Sequence, residues 1–485
     1  MHRLSGEDAG FLYMDQPGQP MNTMAVAILR PDSPRITLAD VRQHLVARLD
    51  ELPSFRWRVV RVPLRLHHPV CVDDPAFDLD FHLRTETLGG DPGPGELDAL
   101  FAAIAERHLD QRHPLWQLTL VDGVGPDRQA LILKYHHCLA DGVAAFTTFA
   151  RVFSSDVHDP LPGVAPFAPT RLPRRSELVA DAVRDHARSL RTLPELAMRT
   201  RRRTALVRER QGHAAVAVPD FKDEAPWCEL NDAFTPARAY VRAAVPLAGV
   251  RRVKDLAGVT LNDVVLAIVA GAMRSYLEDR GGVPDRPLLA SVPVSSEPAD
   301  APVRQYGNQF WSFTTSLATD QKDPWERLLA ISKVAREAKE QLSILGPELV
   351  PEWLDRVPPF IAQPGARALV DRLKANRDHT DVNVVVSNIR GPEQPWELLG
   401  AVVDDLYIDG PPSNGVGCNV MLWSYADRLL FGVLAFADAL QDPAAFGRAI
   451  EVAFAELART VDQATAEMAV LADAQPDRPP SGSAS

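Results

Sequence analysis

Two hydrophobic periods alternate along the first third of the chain. The apolar run at 24–29, the in-and-out alternation at 55–60 and the apolar stretches at 117–121 and 129–135 read as strands. Between them, 37–49 and 95–108 repeat apolar residues at helical spacing, the second with Leu97, Leu100, Phe101 and Ile104 on one face. Thr37 precedes the first of these helices, where its hydroxyl can cap a free backbone N–H. The same mixture returns after residue 235. Strands are predicted at 239–245, 288–294, 382–387, 402–408, 419–425 and 429–436, and helices at 260–277, capped by Thr260, at 324–342 and at 442–474.

The pattern changes between the halves. Residues 159–173 are proline-rich and predicted to be extended. Residues 176–193 are helix-like, with Leu178, Val179, Ala182, Val183 and Leu190 among arginines, and Pro194 either breaks that helix or opens the next. No internal repeat is visible. The pattern predicts an α/β protein of two mixed layers. Residues 1–155 form an N-terminal domain, 156–234 a Pro/Arg-rich helical linker, 235–474 a C-terminal domain and 475–485 a polar tail without order.

Composition narrows the function. A chain of 485 residues is too long for one ordinary core. A net charge of -12 argues against nucleic-acid binding. Between Arg171 and Arg210, however, twelve arginines face five acidic residues. That segment suits contact with anionic headgroups; the other reading is a solvated linker paired with the acidic remainder of the chain. Cys71, Cys138, Cys228 and Cys418 have no metal-ligand spacing and are expected to be free thiols in a reducing compartment. The N-terminus lacks a secretory apolar core, and the longest apolar run, 264–273, is about half a membrane span. A cytoplasmic protein is expected, peripheral on the inner membrane face or on lipid droplets.

The chemistry concentrates in His136-His137-Cys138-Leu139-Ala140-Asp141-Gly142, at the end of a predicted strand. Two imidazoles with a carboxylate nearby suit a general base near neutral pH. No nucleophilic serine or cysteine stands out beside them, so the base would activate a substrate's own hydroxyl or amine. An esterase elbow at Ser413 fails because Pro411 stands where glycine is needed. There is no phosphate-binding glycine loop and no zinc helix, and His136 and Asp141 lack a third ligand, so no metal site is expected.

An ordered series of motifs accompanies the seven residues. It runs Leu4-Ser5-Gly6-Glu7-Asp8-Ala9-Gly10-Phe11-Leu12, Gln19-Pro20-Met21, Asp74-Pro75-Ala76-Phe77-Asp78-Leu79-Asp80, Leu109-Asp110 and Pro114-Leu115-Trp116. In the second half follow Leu261-Asn262-Asp263-Val264-Val265-Leu266-Ala267, Pro293-Val294-Ser295, Gly307-Asn308-Gln309, Ser387-Asn388-Ile389-Arg390-Gly391-Pro392 and Ser424-Tyr425. With these, the chain from about residue 4 to about residue 460 resembles the bacterial wax ester synthase/diacylglycerol acyltransferase family. That family lies within the wider superfamily of chloramphenicol acetyltransferase and peptide-synthesis condensation domains.

The resemblance implies two chloramphenicol-acetyltransferase-like sandwich domains with a channel between them. It implies transfer of a fatty acyl group from acyl-CoA, as substrate and with no bound cofactor, to diacylglycerol or a long-chain alcohol. His137 would be the general base, His136 would orient it, Asp141 would hold the loop and Gly142 would permit a tight turn. Asn262 either donates to the developing oxyanion or only starts a helix, and Asp263 complements that helix's positive end. Ser387 and Asn388 either line the cleft or form a turn, and Pro114-Leu115-Trp116 packs the core. Three departures touch acceptor or chain preference. Asn22 stands where histidine is frequent, Glu297 where arginine is frequent and Arg390 where proline is usual. Two other readings remain: a condensation-type enzyme using carrier-bound acyl groups, and an inactive lipid-binding homologue.

Overall fold

The computed structural model describes residues 1–89, 93, 95–156, 167, 171–219, 224–231, 235–297, 304–375, 380–413 and 415–473. Two six-stranded mixed sheets dominate the described residues. The first runs Glu397–Leu398, Ala401–Asp409, Asn22–Leu29, Gln129–His136, Trp116–Asp122 and Leu83–Thr87 in spatial order. Asn22–Leu29 and Gln129–His136 are buried along their whole length, which is why 24–29 and 130–133 within them read as continuous apolar runs. The second runs Phe310–Ser316, Leu289–Ser295, Val384–Ile389, Cys418–Tyr425, Arg428–Phe436 and Arg238–Pro246. Each sheet has its own large apolar core.

The caps are where hydroxyls at helix starts predict them. Thr37 and Thr260 each accept the backbone N–H three residues on, while Asp40 and Asp263 reach back to close the capping box. Leu261–Glu278 carries the 264–273 run, and burial inside the second core accounts for its apolarity. Among the described residues no single helix is long and apolar enough to cross a membrane. All four cysteines are free and buried. Leu115 and Trp116 are buried as core residues, the indole donating to the Phe55 carbonyl at 2.8 Å.

Several elements differ from the sequence pattern. The strand at 402–408 falls in the second half of the chain, yet Ala401–Asp409 pairs antiparallel with Asn22–Leu29 in the first sheet. Periodicity reports that a segment is a strand, not which sheet receives it. The 55–60 strand is shortened to Trp57–Val60 because Pro53 starts a helical turn, Pro53–Arg56. Pro194 neither breaks nor begins a helix, since Arg175–His213 runs through it. Tertiary contacts hold that helix on both sides of the proline. Leu178 and Ala182 pack on Val62 and Val70, while Arg199 and Arg203 pair with Glu352 and Glu348. Strand Phe310–Ser316 and helices Gly6–Met14, Leu247–Ala257, Leu349–Leu354 and Pro359–Ala375 carry no pattern that was read from sequence. Most of 159–173, and the tail from 474, lie outside the described residues.

Candidate active site

His137 stands where strand Gln129–His136 ends, its backbone N–H donating to the Met21 carbonyl at 2.8 Å. Its ring stacks on Phe11 with centroids 3.9 Å apart, and Phe310 lies at 6.3 Å. Nδ1 meets Oδ1 of Asn308 at 3.1 Å. The amide nitrogen of Asn308 is committed to two acceptors, Oδ1 of Asp8 at 2.8 Å and the His137 carbonyl at 2.9 Å. Oδ1 is therefore the atom facing the ring, so Nδ1 carries the hydrogen and Nε2 keeps its lone pair. Asp8 also accepts the backbone N–H of Asn308 at 2.7 Å and serves in the capping box of Gly6–Met14. Burial drives the imidazole pKa down to about 4, against the opposing pull of Asp141 and Asn308. The ring is thus neutral, and a proton acceptor, at pH 7.

His136 faces the other way. Its ring is fully buried, Nδ1 accepts the Cys138 backbone N–H at 3.1 Å, and Nε2 donates to Asp15 at 2.9 Å. It shapes the turn carrying His137 and does not line the cleft.

Asp141 divides its oxygens. Oδ1 caps the helix Gly142–Phe153 by accepting from Val143 and Ala144 at 3.1 and 3.0 Å. Oδ2 accepts from Arg304 at 2.7 Å and from the Gln309 backbone at 2.8 Å. Arg304 in turn pairs with Glu297 at 2.8 Å. One segment of the second half, residues 304–309, therefore grips the loop of the first. Gly307 adds two backbone bonds, to the Leu139 carbonyl at 2.6 Å and from Asp141 N–H at 3.2 Å. Arg304, Asn308, Gln309 and Asp8 had no assigned role in the sequence reading. Gly307-Asn308-Gln309 was visible as a motif, but no spacing rule links Asn308 to a histidine 171 positions earlier.

His137, Asp141, Gly142, Asn262, Ser387 and Asn388 line one cleft of about 570 Å³ between the sheets. Apolar Phe11, Met21, Val292, Phe310 and Met421 share its wall. Gly142 is explained by close approach, not by a turn: a Cβ there would sit 2.1 Å from Cδ1 of Ile389. Ser387 and Asn388 are not in a turn either, because Val384–Ile389 stays in parallel register with Asn419–Trp423 through Ile389. Asp263 points away from this cleft, bonded to the Thr260 backbone at 2.9 Å and to the Ser332 hydroxyl at 3.1 Å. Of the three departures, Glu297 is neutralised by Arg304, Asn22 is buried with its amide on the Arg107 carbonyl at 3.0 Å, and Arg390 is exposed and paired with Glu393 at 2.9 Å.

The chain is similar to known proteins over most of its length. Residues 4–265 match the family model of the wax ester synthase/diacylglycerol acyltransferase catalytic domain, and residues 306–458 match that of the C-terminal domain. Two Mycobacterium tuberculosis H37Rv proteins, both named for diacylglycerol O-acyltransferase activity, are 35% identical to the chain. One aligns over 91% of this chain and 93% of its own length, the other over 91% and 94%. The solved wax ester synthase/diacylglycerol acyltransferase of Marinobacter aquaeolei VT8 superposes with a TM-score of 0.65 at 26% identity, covering 95% of this chain and 100% of that one. The first condensation domain of the calcium-dependent antibiotic synthetase shares the fold, with a TM-score of 0.57 at 15% identity over 94% of this chain and 96% of that one.

Proposed function

The chain belongs to the wax ester synthase/diacylglycerol acyltransferase family, and on that premise we propose that His137 is the base at which acyl transfer occurs. The protein is an acyl-CoA-dependent O-acyltransferase. In this reading Nε2 of His137 removes the hydroxyl proton of diacylglycerol or a long-chain alcohol as that oxygen bonds to the thioester carbonyl. The tetrahedral intermediate collapses with cleavage of the carbon–sulfur bond, and the leaving thiolate takes the proton from the imidazolium to give free CoA. No acyl-enzyme forms. Asn262, at the cleft wall, is the donor to the oxyanion, a role worth roughly 3 kcal/mol in comparable sites. Ser387 and Asn388 line the same cleft and accompany the substrate, while Asp141, Gly142 and His136 are positioning residues.

The observation carrying this reading is the bond between His137 Nδ1 and Asn308, which leaves a neutral Nε2 beside an apolar cleft. The test is purified protein with palmitoyl-CoA plus dioleoylglycerol or hexadecanol, followed by free CoA release. Release that requires the alcohol and falls by about a hundredfold or more in His137→Ala is the expected result. Turnover only with acyl-carrier thioesters would favour condensation chemistry, and a folded chain inert with every donor would overturn the proposal.

The same reading includes docking on an anionic lipid surface, since acceptor and product are both apolar. Helix Arg175–His213 exposes Val183, Leu190, Met198 and Leu206. Arg188, Arg191, Arg201, Arg202 and Arg208 on it have no carboxylate partner among the described residues. Apolar side chains interleaved with free cations suit headgroups. Five other arginines of the 171–210 segment do pair with acids. Co-sedimentation with phosphatidylglycerol vesicles, lost when Leu190 and Met198 become Glu, is the expected outcome.

A further inference from the structure

We propose that a second cavity, of about 500 Å³ beside the catalytic cleft, receives the phosphate-bearing end of the acyl-CoA donor, with Lys339 and Arg336 as its anion-binding side chains. The inference rests on the cleft being the acyl-transfer site and adds where the rest of the donor lies. Lys339 lines both spaces, and the start of helix Leu261–Glu278 divides them, Asn262 facing the cleft and Thr260 and Asp263 the second cavity. Lys339 therefore stands at the border between a thioester held at His137 and the second cavity.

Charge selects this end of the path. A diphosphate and a phosphomonoester need cations that are not already spent. Arg336 and Lys339 are three residues apart on helix Pro324–Leu345 and share a face. Neither has a carboxylate partner among the described residues, and the described contact of Lys339 is with the Phe313 ring at 5.7 Å. The two acids of the cavity are committed elsewhere, Asp263 to the Thr260 backbone and the Ser332 hydroxyl, Glu340 to Arg210. Hydroxyls of Ser332, Ser343 and Thr260 complete a polar wall. The other cations near the reaction are occupied, Arg304 by Asp141 and Glu297, Arg390 by Glu393. A third cavity of about 640 Å³, bounded by Asp8 and Asn308, offers no unspent arginine: Arg3 pairs with Asp181 and Asp185, Arg304 with Asp141 and Glu297, and Arg356 with Glu352, so it suits a neutral acceptor better than a polyphosphate.

The test compares two thioesters on the full chain. Lys339→Met and Arg336→Met are assayed with palmitoyl-CoA and with S-palmitoyl-pantetheine, which lacks every phosphate, and CoA binding is measured by calorimetry. Each substitution should raise the KM for palmitoyl-CoA and the Kd for CoA by about tenfold, the loss of one charge-assisted contact. Turnover of S-palmitoyl-pantetheine should fall by much less than that of palmitoyl-CoA in each variant, least in Arg336→Met, which lines only the second cavity, and Lys339→Arg should restore CoA affinity. Unchanged CoA affinity, or equal losses with both thioesters, would overturn the inference. Failure of the transferase reading itself looks different: the unaltered chain would turn over neither thioester, while the calorimetric dependence on Lys339 would still stand.

Discussion

The two sheets resemble each other in size but differ in what they bring to the cleft. The first sheet delivers a reactive group at a strand end, His137, after a strand buried along its whole length. The second delivers the apparatus that orients it: Asn308 on the ring, and Arg304 and Gln309 on Asp141. Neither half holds a competent base alone, because the imidazole lies on one side and the group that sets its tautomer on the other. Reactivity here is a property of the junction, and substitutions on the two sides of it should fail in different ways.

The largest effect should come from the buried charges that join the halves. Arg304 stands between Asp141 and Glu297, with side chains exposed by only 11%, 7% and 12%. Arg304→Met strands two carboxylates and should lower unfolding free energy by about 3–5 kcal/mol, as read by urea denaturation. Adding Glu297→Gln should recover part of that loss. A smaller effect tests steric fit across the junction. Gly142→Ala pushes a methyl into Ile389 and should cost about 1–3 kcal/mol, largely relieved in a double variant with Ile389→Ala.

Asn308→Leu separates orientation from stability. It should lower kcat by about tenfold, the weight of one hydrogen bond to the ring. Nitrogen NMR of His137 should then report a mixture of tautomers where the unaltered chain shows Nδ1–H alone. In the unaltered enzyme the acid limb of kcat/KM should fall near pH 4, not near the ordinary 6.5, because burial disfavours the imidazolium, which cannot accept a proton.

An effect that vanishes at low pH concerns Glu7, whose pKa burial, then the charges of Asp8 and Asp141, push up to about 8. A carboxyl with a raised folded-state value contributes its stability in full below pH 4.5 and loses it as the pH climbs towards 8. Glu7→Gln should therefore melt progressively higher than the unaltered chain across that window, with little difference at pH 4.

How much was legible follows the same division. The first sheet's central strands and the capped helices were readable because each is written locally, as an apolar run or a threonine three residues before an aspartate. His137 and Asp141 were readable for the same reason: they share one short loop. Asn308, Arg304 and Asp8 reach the site through contacts with residues more than 150 positions away, which no periodicity encodes. Gly142 was found with the wrong cause, since the side chain that excludes a Cβ comes from residue 389. The 402–408 strand was readable as a strand, but its pairing with Asn22–Leu29, from the other half of the chain, is written in no local pattern.

That long-range pairing has a consequence for biosynthesis. During translation, Asn22–Leu29 emerges early as a strand that is apolar from Met24 to Leu29, but its partner Ala401–Asp409 leaves the ribosome only near the end. Until then the nascent sheet has an open, sticky margin of the kind that recruits other chains. Premature termination anywhere before residue 400 would leave that margin unsealed, so incomplete products of this chain should aggregate or be held by chaperones.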